Sequence, residues 1–241
     1  MTPSQRLQSA YTVVSASQGL FGGPIYWDMK IKRFPAGFVV PGKPIKASKP
    51  PSGADWVREI KHDGYRLIVR RDGPTVRLYT RNAYDWTERL PAIAAAAARI
   101  KAKSFTIDGE AVVLGPDGLS RFEDLRRREA ARSAILYAFD LIEYDGEDLR
   151  NLPFLAERRR WRGCCARPRP ASCSNEHLGR PYRLRACRLG AEGIVSKKVD
   201  GTYRSGPCRV WIKVRNPASI AVQWERSENW NRRASGSARR R

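Results

Sequence analysis

The chain has 241 residues, 41% of them hydrophobic, which is enough to bury the core of one large or two small domains and excludes a wholly disordered protein. Its 46 lysines and arginines face only 24 aspartates and glutamates, and the formal charge of +22 favours a polyanionic partner, most commonly nucleic acid. No apolar run approaches the roughly 20 residues of a membrane span, no secretory signal opens the chain, and the five cysteines form no CxxC pair. We therefore expect a reduced, cytoplasmic protein without a membrane partner or a zinc site.

The first part of the chain carries few signs of regular structure. Residues 1–33 lack hydrophobic periodicity, so we expect a loose N-terminal extension. Five prolines follow within residues 34–53 and are typical of an extended segment that lies along a domain. We expect residues 34–217 to form one domain and residues 218–241 to form a basic tail.

A hairpin and a helix are predicted next. Residues 65–81 form two segments of alternating hydrophobicity, and the Asp72–Gly73 dipeptide between them is a hairpin turn signal. The alanine content of residues 88–102 predicts a helix, in which Pro91 is tolerable because it falls in the first turn.

The remaining patterns complete the fold class. Residues 104–118 predict a strand pair or one bulged strand that ends at a GPDG turn. Residues 120–131 predict a second helix, because Ser120 and Glu123 stand at the spacing of a capping box. Further strands are predicted at 134–146, 192–198 and 210–215. Because hairpins dominate and no regular βαβ alternation is present, the sequence predicts an α+β fold with two largely antiparallel sheets and flanking helices.

Residues 156–190 differ from the rest of the chain. They contain ten arginines, no lysine and four of the five cysteines, and they follow neither a helical nor an alternating pattern. One interpretation is an irregular basic loop or a nucleic-acid-binding arm. The other is that the codons of this stretch are read out of frame, since shifted GC-rich codons yield arginine, proline, alanine and cysteine.

The segment EIKHDGYR, residues 59–66, contains a candidate nucleophile. A lysine that attacks a phosphate must lose a proton near neutral pH, so cationic or desolvating neighbours should depress its pKa. Lys61 has Glu59, Asp63 and Arg66 close in sequence, with a glycine at Gly64. The same residues also fit a charged strand-to-turn segment without a chemical role, and this segment alone leaves both interpretations open.

Other strands offer polar groups suited to a nucleotide. Lys213 and Arg215 share one face of the VWIKVR strand and could bind a triphosphate, although a solvated face explains them equally. Glu110 and Glu192 could hold a magnesium ion, which favours a few carboxylates together with phosphate oxygens, or they could be exposed residues near turns. Phe139 could stack on a purine or simply pack in a core.

Together, and in this order, these segments resemble the nucleotidyltransferase domain of ATP-dependent DNA ligases, especially the bacterial type that acts in DNA repair and recombination. The resemblance runs from about Phe38 to Pro217 and rests on EIKHDGYR at 59–66, TRNAYDWT at 80–87, FTIDGEAV at 105–112, LYAFDLIEYDG at 136–146, AEGIVSKK at 191–198 and VWIKVR at 210–215. It implies an ATP-grasp-like domain that uses ATP with Mg²⁺ or Mn²⁺.

The resemblance also assigns roles to residues. It implies that Lys61 attacks the α-phosphate of ATP and carries AMP, and that Asp63 matters later, when AMP passes to the 5′-phosphate of nicked double-stranded DNA. The implied nucleotide contacts are Glu59 and Phe139 for adenine, Arg66, Arg81 and Glu110 for the ribose and the α-phosphate region, and Lys213 and Arg215 for phosphates. Glu110 and Glu192 are the implied metal ligands.

Two departures from the family pattern matter. Arg215 stands where lysine is common, which keeps the charge but alters the geometry. Only 241 − 215 = 26 residues follow it, too few for the five-stranded OB barrel of full ligases. We therefore expect a chain without an OB domain, and a separate OB-domain or repair protein as an additional partner. An RNA ligase or capping-type nucleotidyltransferase, and a truncated or frameshifted remnant that binds nucleic acid by charge, are the alternatives.

Overall fold

A computed structural model describes residues 34–164, 172–174, 190–219, 222 and 223. The predicted N-terminal extension and most of the predicted basic tail lie outside these residues. In chain order the described strands are β1 (Gly42–Lys46), β2 (Trp56–Lys61), β3 (Tyr65–Asp72), β4 (Thr75–Thr80), β5 (Ser104–Val112), β6 (Ile135–Tyr144), β7 (Glu147–Asp148), β8 (Ser172–Ser174), β9 (Gly193–Lys198) and β10 (Gly206–Arg215). The helices are α1 (Pro91–Ala98), α2 (Phe122–Arg126), α3 (Arg128–Ala131) and α4 (Phe154–Cys164).

The strands form two sheets. A four-stranded sheet has the order β1-β10-β9-β2, and a six-stranded sheet has the order β4-β3-β5-β6-β7, with β8 also paired to β6. All the pairings are antiparallel except β1 with β10 and β6 with β8. The predicted α+β fold with two largely antiparallel sheets is confirmed.

The predicted hairpin is also present. Asp72 pairs with Thr75 at its tip, and Gly73 adopts a φ of +56°, a left-handed conformation that glycine tolerates at little cost. Residues 104–118 form a single strand, β5, followed by the turn. This strand is bulged, because its register against β6 shifts twice between residues 106 and 109.

The helices agree with the sequence only in part. Pro91 begins α1, as predicted. The second predicted helix breaks into α2 and α3, because Arg127 between them has extended backbone angles. The capping-box prediction is wrong: the hydroxyl of Ser120 accepts a hydrogen bond from the backbone N–H of Asp63, 3.0 Å away, and does not cap the helix. In the part of the chain described, no helix combines the length and the apolar character needed to cross a membrane.

The six-stranded sheet has two different faces. One face packs against α1, α2 and α3 and forms the main core, which includes Leu67, Val69, Leu78, Ile93, Phe105, Leu125 and Leu136. On the opposite face, Ile68 packs with Phe38 of the proline-rich segment and with Tyr203. Asp108 pairs with Ile68 and so shares this second face. This face carries Arg66, Asp108 and Glu110, which form one half of the candidate site.

The atypical basic stretch begins inside the fold. Its first residues, 156–164, belong to α4, and residues 172–174 form β8. Glu157 and Arg158 are both buried, although the charge-rich sequence shows no apolar periodicity that would predict a packed helix. The remaining residues of the stretch up to position 189 lie outside the described part.

Candidate active site

Lys61 is the last residue of β2, an edge strand of the four-stranded sheet. Lys61 pairs with Gly193, the first residue of the neighbouring strand β9, so Glu192 lies beside it. The Nζ atom of Lys61 forms an ion pair with the Oε2 atom of Glu192. The Lys61 side chain keeps 22% of its surface exposed, whereas that of Glu192 keeps 6%. The amine is therefore held by a carboxylate yet remains open to a ligand.

The glycine at position 64, three residues after Lys61, is required for a steric reason. A Cβ atom on Gly64 would lie 2.1 Å from the backbone oxygen of Ala111 in β5, a distance that real Cβ atoms do not adopt. The turn is also fixed by the Asp63 N–H bond to Ser120. The chain thus passes tightly from β2 of one sheet into β3 of the other, and this passage positions Lys61.

Arg66 is held by a bidentate ion pair. Its Nε and Nη2 atoms lie 2.5 and 2.7 Å from the two carboxylate oxygens of Asp108, which is fully buried. Tyr203 donates its hydroxyl to the same carboxylate at 2.7 Å. Burial alone would lower the pKa of Arg66, but the Asp108 carboxylate outweighs it and the net shift is upward. The guanidinium therefore stays charged, with its plane fixed.

Glu110 lies directly opposite Arg66 in the β3–β5 pairing. Burial, and to a lesser extent the charges of Glu192 and Asp108, raises its pKa to about 7 against the opposing effects of Lys61 and Arg66. Such a carboxylate lacks full charge compensation and would gain from a cation. Among the described residues, no three His, Cys, Asp or Glu side chains gather into a dedicated metal cage. The two carboxylates Glu110 and Glu192 nevertheless fit Mg²⁺, which needs only a few protein carboxylates and takes its other ligands from phosphate and water.

A group of cations surrounds Lys61. Burial, followed by the charges of Lys61 and Arg215, lowers the pKa of Lys213, and Lys43 contributes in the same direction. Arg215 places its Nε atom 3.6 Å from Oε1 of Glu192. The structure thus brings together Lys61, Glu192 and the strand that carries Lys213 and Arg215, and it concentrates positive charge there, which suits an anionic ligand.

Glu59 and Phe139, the residues assigned to adenine, are joined through a buried lysine. Lys197 lies 3.2 Å from Oε2 of Glu59 and donates to the Phe139 backbone oxygen at 3.1 Å. The other oxygen of Glu59 pairs with Arg158. The Phe139 ring lies 4.4 Å from the Arg66 guanidinium carbon, measured to the ring centroid. Glu59 is only 2% exposed, so its carboxylate faces protein and not solvent.

Arg81 is the one assigned nucleotide contact that the structure leaves outside this network. It is exposed directly after β4, and continuing the β3–β4 register by one residue from the Leu67–Thr80 pair sets it opposite Arg66. Within the described residues it makes no hydrogen bond or ion pair.

Sequence reasoning missed five residues that hold the site together. These are Asp108, Asp140, Arg158, Lys197 and Tyr203. A charged residue within an otherwise apolar strand was the available signal for Asp108, Asp140 and Lys197, because a charge at a core position requires a partner.

The family model for the ATP-dependent DNA ligase domain matches residues 41–168. The chain belongs to this ligase domain family. The resemblance inferred from the six segments is confirmed.

Relatives of this ligase domain carry consistent names. It is 37% identical over 185 residues to the multifunctional non-homologous end joining protein LigD of Pseudomonas aeruginosa, covering 74% of this chain and 22% of that protein. It is 35% identical over 201 residues to a probable DNA ligase of Streptomyces coelicolor, covering 71% of this chain and 38% of that protein. The chain therefore spans between about a fifth and two fifths of the length of these relatives.

A solved structure supports the fold of this ligase domain. Mycobacterial DNA ligase D complexed with ATP and MES has a TM-score of 0.65 and 28% sequence identity, covering 73% of this chain and 60% of that chain. The two-sheet arrangement is therefore that of a ligase nucleotidyltransferase domain.

Proposed function

We propose that this chain is the adenylating domain of a DNA ligase that seals nicks in repair or recombination. Lys61 attacks the α-phosphorus of ATP, so that an Nζ–P bond forms while the bond from phosphorus to the pyrophosphate oxygen breaks. The two protons that the ammonium gives up leave through solvent, to which the side chain is 22% exposed. The observation that carries the proposal is the position of Lys61 beside Glu192, whose other carboxylate oxygen lies 3.6 Å from Arg215, and close enough to Lys213 for its charge to lower the Lys213 pKa.

The state of Lys61 must change before it can attack. Only a neutral amine is a nucleophile, and in the structure the Lys61 amine is engaged by the carboxylate of Glu192. Glu110 and Glu192 would hold Mg²⁺ or Mn²⁺, and a cation there would stabilise negative charge on the reacting phosphate. Engagement of Glu192 by such a cation would release the Lys61 amine from its ion pair.

The other assigned residues orient the nucleotide. Phe139 offers a ring for the adenine. Arg66, with its plane fixed by Asp108, suits the ribose and the α-phosphate region, and Arg81 stands next to it. Lys213 and Arg215 bind the leaving phosphates.

Nicked duplex DNA is the proposed acceptor of AMP. The net charge of +22 supports binding through backbone phosphates, which gives little sequence preference and weakens steeply with salt. Asp63, in the turn fixed by Ser120, is assigned to the later steps, in which AMP reaches the 5′-phosphate and the 3′-hydroxyl attacks.

The test is covalent labelling with radioactive ATP and magnesium. The protein should take up AMP through an acid-labile, base-stable bond, and Lys61→Ala and Lys61→Arg should abolish it. Lys198→Ala is the matched control, because Lys198 is 39% exposed and stands at the other end of β9 from Gly193. Uptake of label from GTP in place of ATP would favour a capping-type enzyme. DNA binding without any uptake would favour an inactive remnant.

A further inference from the structure

A cluster of four buried charges lies behind the candidate nucleotide site. It consists of Glu59, Asp140, Arg158 and Lys197, and we call it the buried charge cluster. Lys197 donates to both carboxylate oxygens of Asp140, at 2.9 and 2.8 Å, and lies 3.2 Å from Glu59. Arg158 pairs with the other oxygen of Glu59. No member is more than 7% exposed.

The cluster is balanced in charge. Two cations face two carboxylates, and the neighbouring Glu157 adds little negative charge at neutral pH because burial raises its pKa to about 8. The Oε1 atom of Glu157 accepts a hydrogen bond from the backbone N–H of Leu141 at 2.6 Å, and its Oε2 atom lies 4.0 Å from the Nε atom of Arg158. Removing one member would leave an uncompensated buried charge, so the four residues act as a unit.

The cluster connects four elements around the site. Glu59 is on β2, two residues before Lys61, and Lys197 is on β9, which pairs with β2. Asp140 follows Phe139 on β6 of the other sheet, and Arg158 is on α4. Lys197 also donates to the Phe139 backbone oxygen at 3.1 Å. The backbone on both sides of the candidate adenine position is therefore held by one set of ion pairs.

We propose that Arg158 and Lys197 are positioning residues for the nucleotide, which fix Glu59 and Phe139 in the arrangement that receives the adenine. This inference rests on the proposed function. Buried ion pairs are weak evidence for stability, since apolar side chains of similar volume often serve as well. Ion pairs do, however, fix the distance and the direction between their two partners. This property suits a site whose two halves come from different sheets. Through Arg158, α4 becomes part of the nucleotide site.

The first experiment is a double-mutant cycle on ATP affinity. The variants Glu59→Gln, Arg158→Met and the double variant are made in a Lys61→Ala background, and ATP binding is measured by calorimetry. We expect each single change to weaken ATP binding about tenfold and the double variant to be no weaker than either, because both changes break one unit. The matched control pair is Glu147→Gln with Arg160→Met, an exposed ion pair of 2.6 Å that joins β7 to the same helix, α4, and these changes should leave affinity unchanged.

A second ligand separates positioning from general damage. Inorganic tripolyphosphate lacks the base, so its affinity should be unchanged in the Glu59 and Arg158 variants. A folding defect would weaken both ligands. If Arg158→Met does not fold, the double variant, in which the lost cation is matched by a lost anion, and Arg158→Lys replace it in the comparison.

The possible outcomes separate the positioning role from the proposed function. Additive losses of about a hundredfold in the double variant, or equal losses for ATP and tripolyphosphate, contradict the positioning role. Unchanged ATP affinity in folded single variants contradicts it as well. Absence of AMP uptake by the chain with Lys61 intact, with the coupling in ATP binding preserved, would overturn the proposed function while leaving this inference standing. A chain that binds no ATP overturns both.

Discussion

Replacing Asp108 by alanine should destabilise this domain far more than the loss of an ordinary ion pair. Asp108 is fully buried and accepts two hydrogen bonds from Arg66, at 2.5 and 2.7 Å, and one from Tyr203 at 2.7 Å. Its removal leaves the charged guanidinium of Arg66 with only the Gly42 backbone oxygen, 3.1 Å away, and leaves the Tyr203 hydroxyl without its acceptor. Burial and the Asp108 carboxylate both raise the pKa of Tyr203, so the hydroxyl remains a donor in wild type.

The magnitude follows from burial. Breaking a buried ion pair by removing one partner costs about 3–5 kcal/mol, a large part of the roughly 5–15 kcal/mol that stabilises a typical domain. The chain offers a matched comparison in Asp148, which also binds an arginine in a bidentate manner but is 48% exposed. Exposed pairs contribute about 0–1 kcal/mol, so Asp148→Ala should have little effect.

The assay is urea unfolding of wild type, Asp108→Ala and Asp148→Ala, followed by circular dichroism. We expect a free energy of unfolding lower by about 3–5 kcal/mol for Asp108→Ala and within about 1 kcal/mol of wild type for Asp148→Ala. Equal effects of the two substitutions, or a loss below about 1 kcal/mol for Asp108→Ala, would refute the reasoning that burial decides the value of these pairs.

Three further predictions concern single residues. Ala83 adopts a φ of +65°, so Ala83→Gly should raise the free energy of unfolding by about 1 kcal/mol in the same urea assay; an unchanged or lower value would contradict the strained backbone. Gly64→Ala forces a Cβ atom against the Ala111 oxygen, and AMP uptake should fall at least about tenfold; uptake at the wild-type rate would show that the turn can relax. The pKa of Glu110 in the folded state is about 7, above its ordinary value of 4.5. Between these two pH values the folded state binds more protons than the unfolded state, so the free energy of unfolding should fall as the pH rises from 4.5 to about 7. Urea unfolding at several pH values should show this fall weakened in Glu110→Gln, and an identical pH profile would contradict the raised pKa.

Local patterns predicted much of the fold. The β3–β4 hairpin followed from alternation and the Asp72–Gly73 turn, and α1 followed from alanine content, because these signals depend on neighbours in sequence. The capping box at Ser120 failed for the opposite reason. Its hydroxyl is used by Asp63, which is 57 residues away, and a contact of that kind leaves no local trace.

The same difference between local patterns and long-range contacts decides which site residues could be predicted from the sequence. Lys61, Glu110, Glu192, Lys213 and Arg215 were predicted because short motifs carry them. The residues that hold them were not, since the Tyr203–Asp108 bond spans 95 residues and the Lys197–Asp140 bond spans 57. Arg158 was hidden further, because it lies in a stretch whose arginine content indicates a solvated loop, whereas the structure buries it against Glu59.

Peptide mapping of the adenylated protein tests the central claim most directly. The full chain is incubated with ATP and magnesium, digested at neutral to basic pH to preserve the phosphoramidate, and analysed by tandem mass spectrometry. We predict one AMP group on the side chain of Lys61 and none on Lys197 or Lys213. AMP on another residue, or no adduct in a folded protein that binds ATP, would contradict the assignment of Lys61 as the nucleophile.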